Sequence, residues 1–582
     1  MKKQHLHILL IILLSVILYS NTFKNEFAFD DQFFIIDNYE IRSLKNIPSY
    51  FLEPGVGNLY RPLRTTLYAT TFSIWKLNPL GYHLNAILLH TLISILVYLI
   101  TSKILKNKNH SLIASLLFTA HPIHTARVAN MTASFDLLGI LFLFAAIYTY
   151  IIFRKHKSRK AFLYSIIFFT LALFSSEEAI IFPIIILLYD LSFNRENLKD
   201  IMKKYWVYIL PLIMYLIMRF LVLKQIGRTE VYFLGSIITI ILSTLIIFLR
   251  YIYILIWPIN LTVDYNVIPY TKLSFLVILA IIVYILILYA FIKSYKNNKV
   301  ALFSLGFFFT ALLPFSNIFP VNTFMADRYL YIASFGFVLL LVYLMYSIPN
   351  IRFINKNTSK VIIVSLITLL IIFYSSFTIM RNTEWKTDST LFEAAVEKQP
   401  QSSNAHNNLG KVYGNMNKHT RASMEYKKAI TLNSKNHVAY LNLGTLYGEQ
   451  DNYKEAIYYI NKSIEIFPSY KAYNNLGLIY SEIGYQEPSI IMLKKAIEFN
   501  PSLSKAHMDL GTVYAKNGNF DQALGELKMA LEINPNIADT HYNLAVLYEF
   551  LDQKDRAKTE FKIAYNLEPS NTLFRDKFLK YK

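Results

Sequence analysis

The sequence predicts an all-α protein in two parts: a polytopic bundle of membrane helices followed by an α-solenoid of short helical repeats. Three observations predict it. Apolar residues make up 54% of the 582 residues and charged ones only 16%, where soluble domains average about 25% charged. About a dozen apolar runs divide the first two thirds of the chain, most of them near the length a helix needs to cross a bilayer. Beyond residue 400 the polar sequence repeats itself every 33 or 34 residues. The boundary is placed at 383/384, giving a membrane domain over 1–383 and a repeat domain over 384–582.

Met1-Lys2-Lys3 opens the chain and apolar sequence follows to Tyr19. No small-x-small cleavage pattern ends this run, so it reads as an uncleaved anchor with its N-terminus on the cytoplasmic side. Further apolar runs lie near 83–102, 111–130, 134–153, 161–175, 178–191, 205–223, 234–257, 273–292, 301–314, 328–347 and 361–380. Lys103, Lys106 and Lys108, then the cluster from Arg154 to Lys160, then Lys199, Lys203 and Lys204 fall in inside connectors, as the positive-inside rule requires. If 234–257 also spanned, Lys293, Lys296 and Lys299 would fall outside. That run holds Arg250 and ends at Trp257-Pro258, and it is read as re-entrant or interfacial. The count is then about eleven spans. Arg352, Lys356 and Lys360 stay inside, and the last helix delivers the C-terminal domain to the external or periplasmic side of a cell (inner) membrane.

The net charge of +20 would suggest a polyanion in a soluble protein. Here much of it sits in the short inside connectors, and no folded basic face interleaved with exposed aromatics is evident, so nucleic acid is set aside as a partner. The chain has no cysteine, which excludes disulfides, zinc-thiolate sites and thiol nucleophiles.

In the C-terminal part, Leu409-Gly410, Leu443-Gly444, Leu476-Gly477, Leu510-Gly511 and Leu544-Ala545 recur in step, as do Tyr413, Tyr447, Tyr480, Tyr514 and Tyr548. Pro400, Pro468, Pro501, Pro535 and Pro569 keep the same beat, with Ser434 in the missing place, and so do Ala422, Ala456, Ala523 and Ala557, with Ser489 in the odd repeat. Leu and Tyr fill the seam between paired helices, small residues allow close approach, and Pro opens the turn before the next pair. Several residue types sharing one period resemble tetratricopeptide repeats, about five of them over about 400–575.

On this topology the outer side collects Asp30 and Asp31, Arg61, His83, His121 and His124, Asp136, Glu177 and Glu178, Asp264-Tyr265, and Arg328-Tyr329. Adjacent carboxylates can supply a general base, one raised by its neighbour, or ligate a hard cation; the bland alternative is a solvated loop pair. Glu177 and Glu178 open an apolar helix, where charge placement alone would put them. For His121-Pro122-x-His124 the alternative to metal ligation is interfacial hydrogen bonding. Arg328 can hold a phosphate bidentately or merely snorkel.

Taken together, these segments resemble a known family. Phe29-Asp30-Asp31, Tyr60-Arg61-Pro62-Leu63, Leu77-Asn78-Pro79-Leu80-Gly81-Tyr82-His83-Leu84-Asn85 and His121-Pro122-Ile123-His124 are similar to the membrane O-mannosyltransferases that carry tetratricopeptide repeats. So are Ser175-Ser176-Glu177-Glu178-Ala179 through Pro183, Trp257-Pro258-Ile259-Asn260-Leu261 with Asp264-Tyr265, and Arg328-Tyr329-Leu330-Tyr331.

The resemblance implies a GT-C fold and an enzyme that moves a mannose-like sugar from a polyprenyl phosphate to a protein or glycan on the external face. Asp30 or Asp31 would act on the acceptor hydroxyl. Arg328 would meet the donor phosphate, with Arg61, His121, His124, Glu177, Glu178, Asp264, Tyr265 and Tyr329 around donor or acceptor, and a divalent cation as a possible cofactor. The repeat groove would take a protein or peptide. Two positions depart from the family pattern: Ser176 stands where a Lys is usual and Ala126 where a Glu is usual. They favour the alternative of a non-catalytic membrane scaffold whose repeats recruit partners.

Overall fold

The computed structural model describes residues 2–194, 198–224, 236–317, 323–347 and 356–581. Arg352, assigned to an inside connector, lies outside the described residues. These residues are helical almost throughout; among them the only β-pairing is an isolated bridge between Gly55 and Leu59. The chain divides into two compact units, Met1–Gln399 and Pro400–Lys582, so the helix Asp388–Lys398 belongs to the first.

Among the described residues, eight helices of the first unit are long and apolar enough to cross a membrane, including Pro79–Leu105, Tyr205–Leu223 and Phe275–Asn297. Phe275–Asn297 shows why lipid is their solvent. It has a mean hydropathy of 3.2, yet Ile285, Leu286, Leu288 and Ile292 all project outward, an apolar face far larger than water tolerates. Four more of the apolar runs form shorter helices: Lys108–Ala120, Arg159–Ser175, Phe182–Phe193 and Lys299–Leu312. Proline explains two of them. His121 takes an extended backbone (φ −69°, ψ 124°) before Pro122, since the residue before a proline avoids the α region, and Pro183 opens the helix that starts at Phe182.

The run expected to be re-entrant or interfacial is one unbroken helix, Ile237–Ile256, long and apolar enough to span. Its polar contacts nonetheless go mostly to connecting segments. Ser243 Oγ accepts from Tyr270 N, Thr244 Oγ1 donates to the Ser316 carbonyl, Tyr251 OH accepts from Ala326 N, and the Leu255 carbonyl meets His121 Nε2 at 2.9 Å.

The second unit is five helix pairs, from Ser403–Asn415 with His419–Leu432 through Ala538–Phe550 with Lys554–Leu567, closed by Thr572–Lys580. The repeating glycines mark where the paired helices touch. A Cβ at Gly410 would lie 2.7 Å from the Tyr426 ring, at Gly444 2.6 Å from Ile460, and at Gly477 and Gly511 2.8 Å from Leu493 and Leu527. The recurring Ala422, Ala456, Ala523 and Ala557, with Ser489, are fully buried.

Candidate functional site

The loop after the first helix carries the acidic pair, and the two carboxylates differ completely in surroundings. Asp31 is buried. Its Oδ1 accepts from Thr132 N at 2.7 Å and Thr132 Oγ1 at 2.6 Å, and its Oδ2 accepts from Ala28 N at 3.0 Å. Burial pushes this carboxyl up to about 7, against the Thr132 and Ala28 hydrogen bonds that favour its charge. Asp30, one residue earlier, is exposed. Its backbone carbonyl accepts from Phe33 N and Phe34 N at 3.1 and 3.0 Å, so the turn is fixed at this exposed residue.

Beside this loop three arginines meet three carboxylates out of solvent. Arg61 donates to Asp136 at 2.6 Å and to Glu177 at 2.7 Å; Arg64 reaches Asp136 at 3.1 Å; Arg127 lies 3.6 Å from Asp136 and pairs with Glu178. The charges balance, as buried charges must. Arg64 also donates to the Thr132 carbonyl at 3.3 Å, which ties the cluster to the residue that holds Asp31. Arg61 and Glu177 thus pair with each other, and Glu178 pairs with Arg127 in the same cluster.

A second polar cluster lies next to the first. Arg127 Nε donates to the Arg328 carbonyl at 2.9 Å. Asp327 accepts from Tyr265 and faces Arg381, which pairs with Glu384, itself paired with Lys398. Arg328 is partly exposed. Its guanidinium lies over the Tyr329 ring at 5.3 Å and donates to Thr323 Oγ1 at 3.3 Å. Tyr329 is buried and stacks on Phe315 at 3.9 Å. Asp264 is partly buried on the same segment as Tyr265, and its N–H donates to Thr262 Oγ1 at 3.4 Å.

The histidines sit apart from the carboxylates. His121 is held by the Leu255 carbonyl, and His124 by Ser334 Oγ at 3.0 Å, packed among His90, Phe118 and Tyr331. Among the described residues, no three His, Asp or Glu side chains gather as metal ligands. Ser176 is buried and caps the turn at Glu177, its Oγ accepting from Glu178 N at 3.4 Å. It packs so close to Gly139 that a Cβ there would lie 2.7 Å from its own. Ala126 is partly buried.

Sequence reasoning missed Arg64, Arg127, Asp327 and the Arg381–Glu384–Lys398 chain. Arg127 carried a usable signal, since an arginine inside an apolar run is a site candidate by default. Arg381 and Glu384 carried none, because nothing in a linear reading brings residue 381 to residue 327.

Residues 62–219 match the family described as dolichyl-phosphate-mannose-protein mannosyltransferase. Tetratricopeptide repeats match at 391–422, 437–470, 470–503, 513–551 and 538–571. Similar proteins include the protein O-mannosyl-transferase F38B6.6 of Caenorhabditis elegans, 28% identical over 73% of this chain and 62% of that one. Human protein O-mannosyl-transferase TMTC3 is 24% identical over 71% of this chain and 50% of that one, so the match spans roughly half to three fifths of these relatives. The tetratricopeptide-repeat protein YrrB is 25% identical over 32% of this chain and 96% of that one, with a TM-score of 0.26. The chain therefore joins a segment that matches the dolichyl-phosphate-mannose-protein mannosyltransferase family to tetratricopeptide repeats, and it is similar to protein O-mannosyl-transferases over about seven tenths of its length.

Proposed function

We propose that the chain is a membrane glycosyltransferase that moves a mannose-like sugar from a polyprenyl-phosphate donor to a hydroxyl of a protein or glycan on the external face, its repeats binding the acceptor or a partner protein. The observation that carries this reading is the exposed Asp30 between two anchored neighbours. A base must be rigidly placed yet reachable by an acceptor, and of the two carboxylates only Asp30 is open to solvent.

In the reaction the acceptor oxygen attacks the anomeric carbon, its proton passes to the Asp30 carboxylate, and the bond from that carbon to the phosphate oxygen breaks. Polyprenyl phosphate leaves with the electron pair. Arg328 is assigned to the phosphate because it is partly exposed and, among the described residues, its guanidinium donates only to a neutral hydroxyl. Arg61 is already committed to Asp136 and Glu177. That Ile237–Ile256 contacts the connecting segments near Ala326 and His121 supports its lying across the outer ends of the other helices.

Transfer of labelled mannose from mannosyl polyprenyl phosphate to a panel of Ser/Thr peptides by the purified chain tests the reading. Loss of transfer in Asp30→Asn with the fold intact is expected; undiminished transfer would remove the assigned base. The scaffold reading draws on Ser176 and Ala126, which stand where the family pattern has a Lys and a Glu. It predicts no transfer from any donor.

A further inference from the structure

The segment that leaves the last membrane helix runs back against the loop bearing Asp30. Asn21 Nδ2 donates to the Ile379 carbonyl at 2.9 Å, Asn25 Nδ2 to the Asn382 carbonyl at 3.0 Å, and Glu26 N to the Lys386 carbonyl at 2.9 Å. In return Asn382 Nδ2 donates to the Leu18 carbonyl at 2.9 Å. The series ends at Phe29, whose N–H donates to Asp388 Oδ1 at 2.6 Å while its ring meets Trp385 and Phe392.

Phe29 needs such a seat. Its φ of 62° lies in the left-handed region, which a bulky residue adopts only when its surroundings impose it. Asp388 is well placed to impose it. It is the first residue of the helix Asp388–Lys398, whose start is fixed by reciprocal hydrogen bonds between Thr387 and Thr390. Asp30 is therefore gripped on both sides, by Asp388 through Phe29 and by Thr132 through Asp31.

We propose that Asp388 is a positioning residue for sugar transfer: by capturing the Phe29 N–H it sets the turn that aims the Asp30 carboxylate. The proposal rests on the reading of Asp30 as the base. Asp388 also lies on the last helix before the chain enters the repeat unit at Pro400, so it joins the segment leading into the repeats to the loop that does the chemistry.

The test uses the full chain in lipid nanodiscs and two readouts. Asp388→Ala is expected to lower kcat about 100-fold with little change in KM for mannosyl polyprenyl phosphate. It should speed amide exchange at Phe29 at least about tenfold, as loss of one charge-assisted hydrogen bond would. Asp388→Asn keeps an oxygen acceptor and should restore most of both. Unchanged kcat, or unchanged exchange at Phe29, in Asp388→Ala overturns this proposal and leaves the transferase reading standing. A wild-type chain that transfers nothing, or an Asp30→Asn variant that transfers normally, overturns the transferase reading instead.

Discussion

Arg61 Nη1 lies 2.6 Å from Asp136 Oδ1, both side chains largely withdrawn from solvent. Asp136 also faces Arg64 and Arg127, so one carboxylate answers three guanidinium groups. Asp136→Asn is expected to cost about 3–5 kcal/mol, the penalty for stranding a buried charge, seen as a lower melting temperature of the detergent-solubilised chain. Arg61→Met with Glu177→Leu should cost much less than Arg61→Met alone, because the pair leaves together. Equal losses would mean the cluster is not energetically coupled.

Asp30 and Asp31 should separate cleanly on mutation. Asp31→Ala removes the acceptor of three hydrogen bonds and strands Thr132 and Ala28 donors, at roughly 1–3 kcal/mol each where they stay unsatisfied. Asp30→Asn should leave the melting temperature unchanged and abolish transfer. If both variants instead lower stability alike, the distinction between base and anchor is wrong.

In the repeat unit, His541 Nδ1 lies 2.5 Å from Glu560 and its Nε2 3.0 Å from the Pro535 carbonyl. Burial alone would lower this imidazole, but the Glu560 and Pro535 hydrogen bonds outweigh it and leave it raised. A base raised in the fold adds stability that is complete below the unfolded value, about 6.5, and is lost as pH climbs through the folded value. A fragment over 400–582 should therefore melt lower as pH rises above about 6.5, and His541→Gln should flatten that slope. His406–Glu425 and His507–Glu526 repeat the geometry at 2.6 and 2.7 Å.

Two glycines in that unit should respond in opposite ways. A Cβ at Gly444 would lie 2.6 Å from Ile460 and 3.0 Å from the Ala456 carbonyl, so Gly444→Ala should cost about 1–3 kcal/mol through overpacking. Gly525 lies in the helix Phe520–Ile533 with nothing within 4 Å of its Cβ position. Gly525→Ala should gain about 0.5–1 kcal/mol of helix propensity. Urea denaturation of the fragment reads both.

The absence of cysteine makes orientation directly measurable. Glu53→Cys and Lys155→Cys each place one thiol at an exposed position. In intact cells a membrane-impermeant maleimide should label Glu53→Cys at once and Lys155→Cys only after permeabilisation. The reverse pattern would invert the topology and move the site to the cytoplasmic face.

The repeat solenoid was legible because each helix pair solves the same packing problem, and Gly410 through Gly511 record it in one-dimensional order. The acidic loop was legible as a motif, but the division of labour within it was not. Asp30 and Asp31 are the same residue type side by side, and only the burial of Asp31 against Thr132 tells them apart. Helix ends were hidden for a related reason: hydropathy sees the apolar runs at 111–130 and 178–191 but not that Pro122 and Pro183 shorten their helices. The partnership of Asp388 with Phe29 joins residues at opposite ends of the membrane unit, a distance no local pattern bridges.

That partnership sets a timetable for synthesis. Leu18, Asn21, Asn25, Glu26 and Phe29 leave the ribosome early, yet their hydrogen-bonding partners are Ile379, Asn382, Lys386 and Asp388. At about 5–20 residues per second the acidic loop waits roughly 20–70 s before the chain that completes it is made. Until then its backbone donors must be served by water, lipid headgroups or a chaperone, and a nascent chain halted before residue 379 carries the motif without the architecture that would let it work.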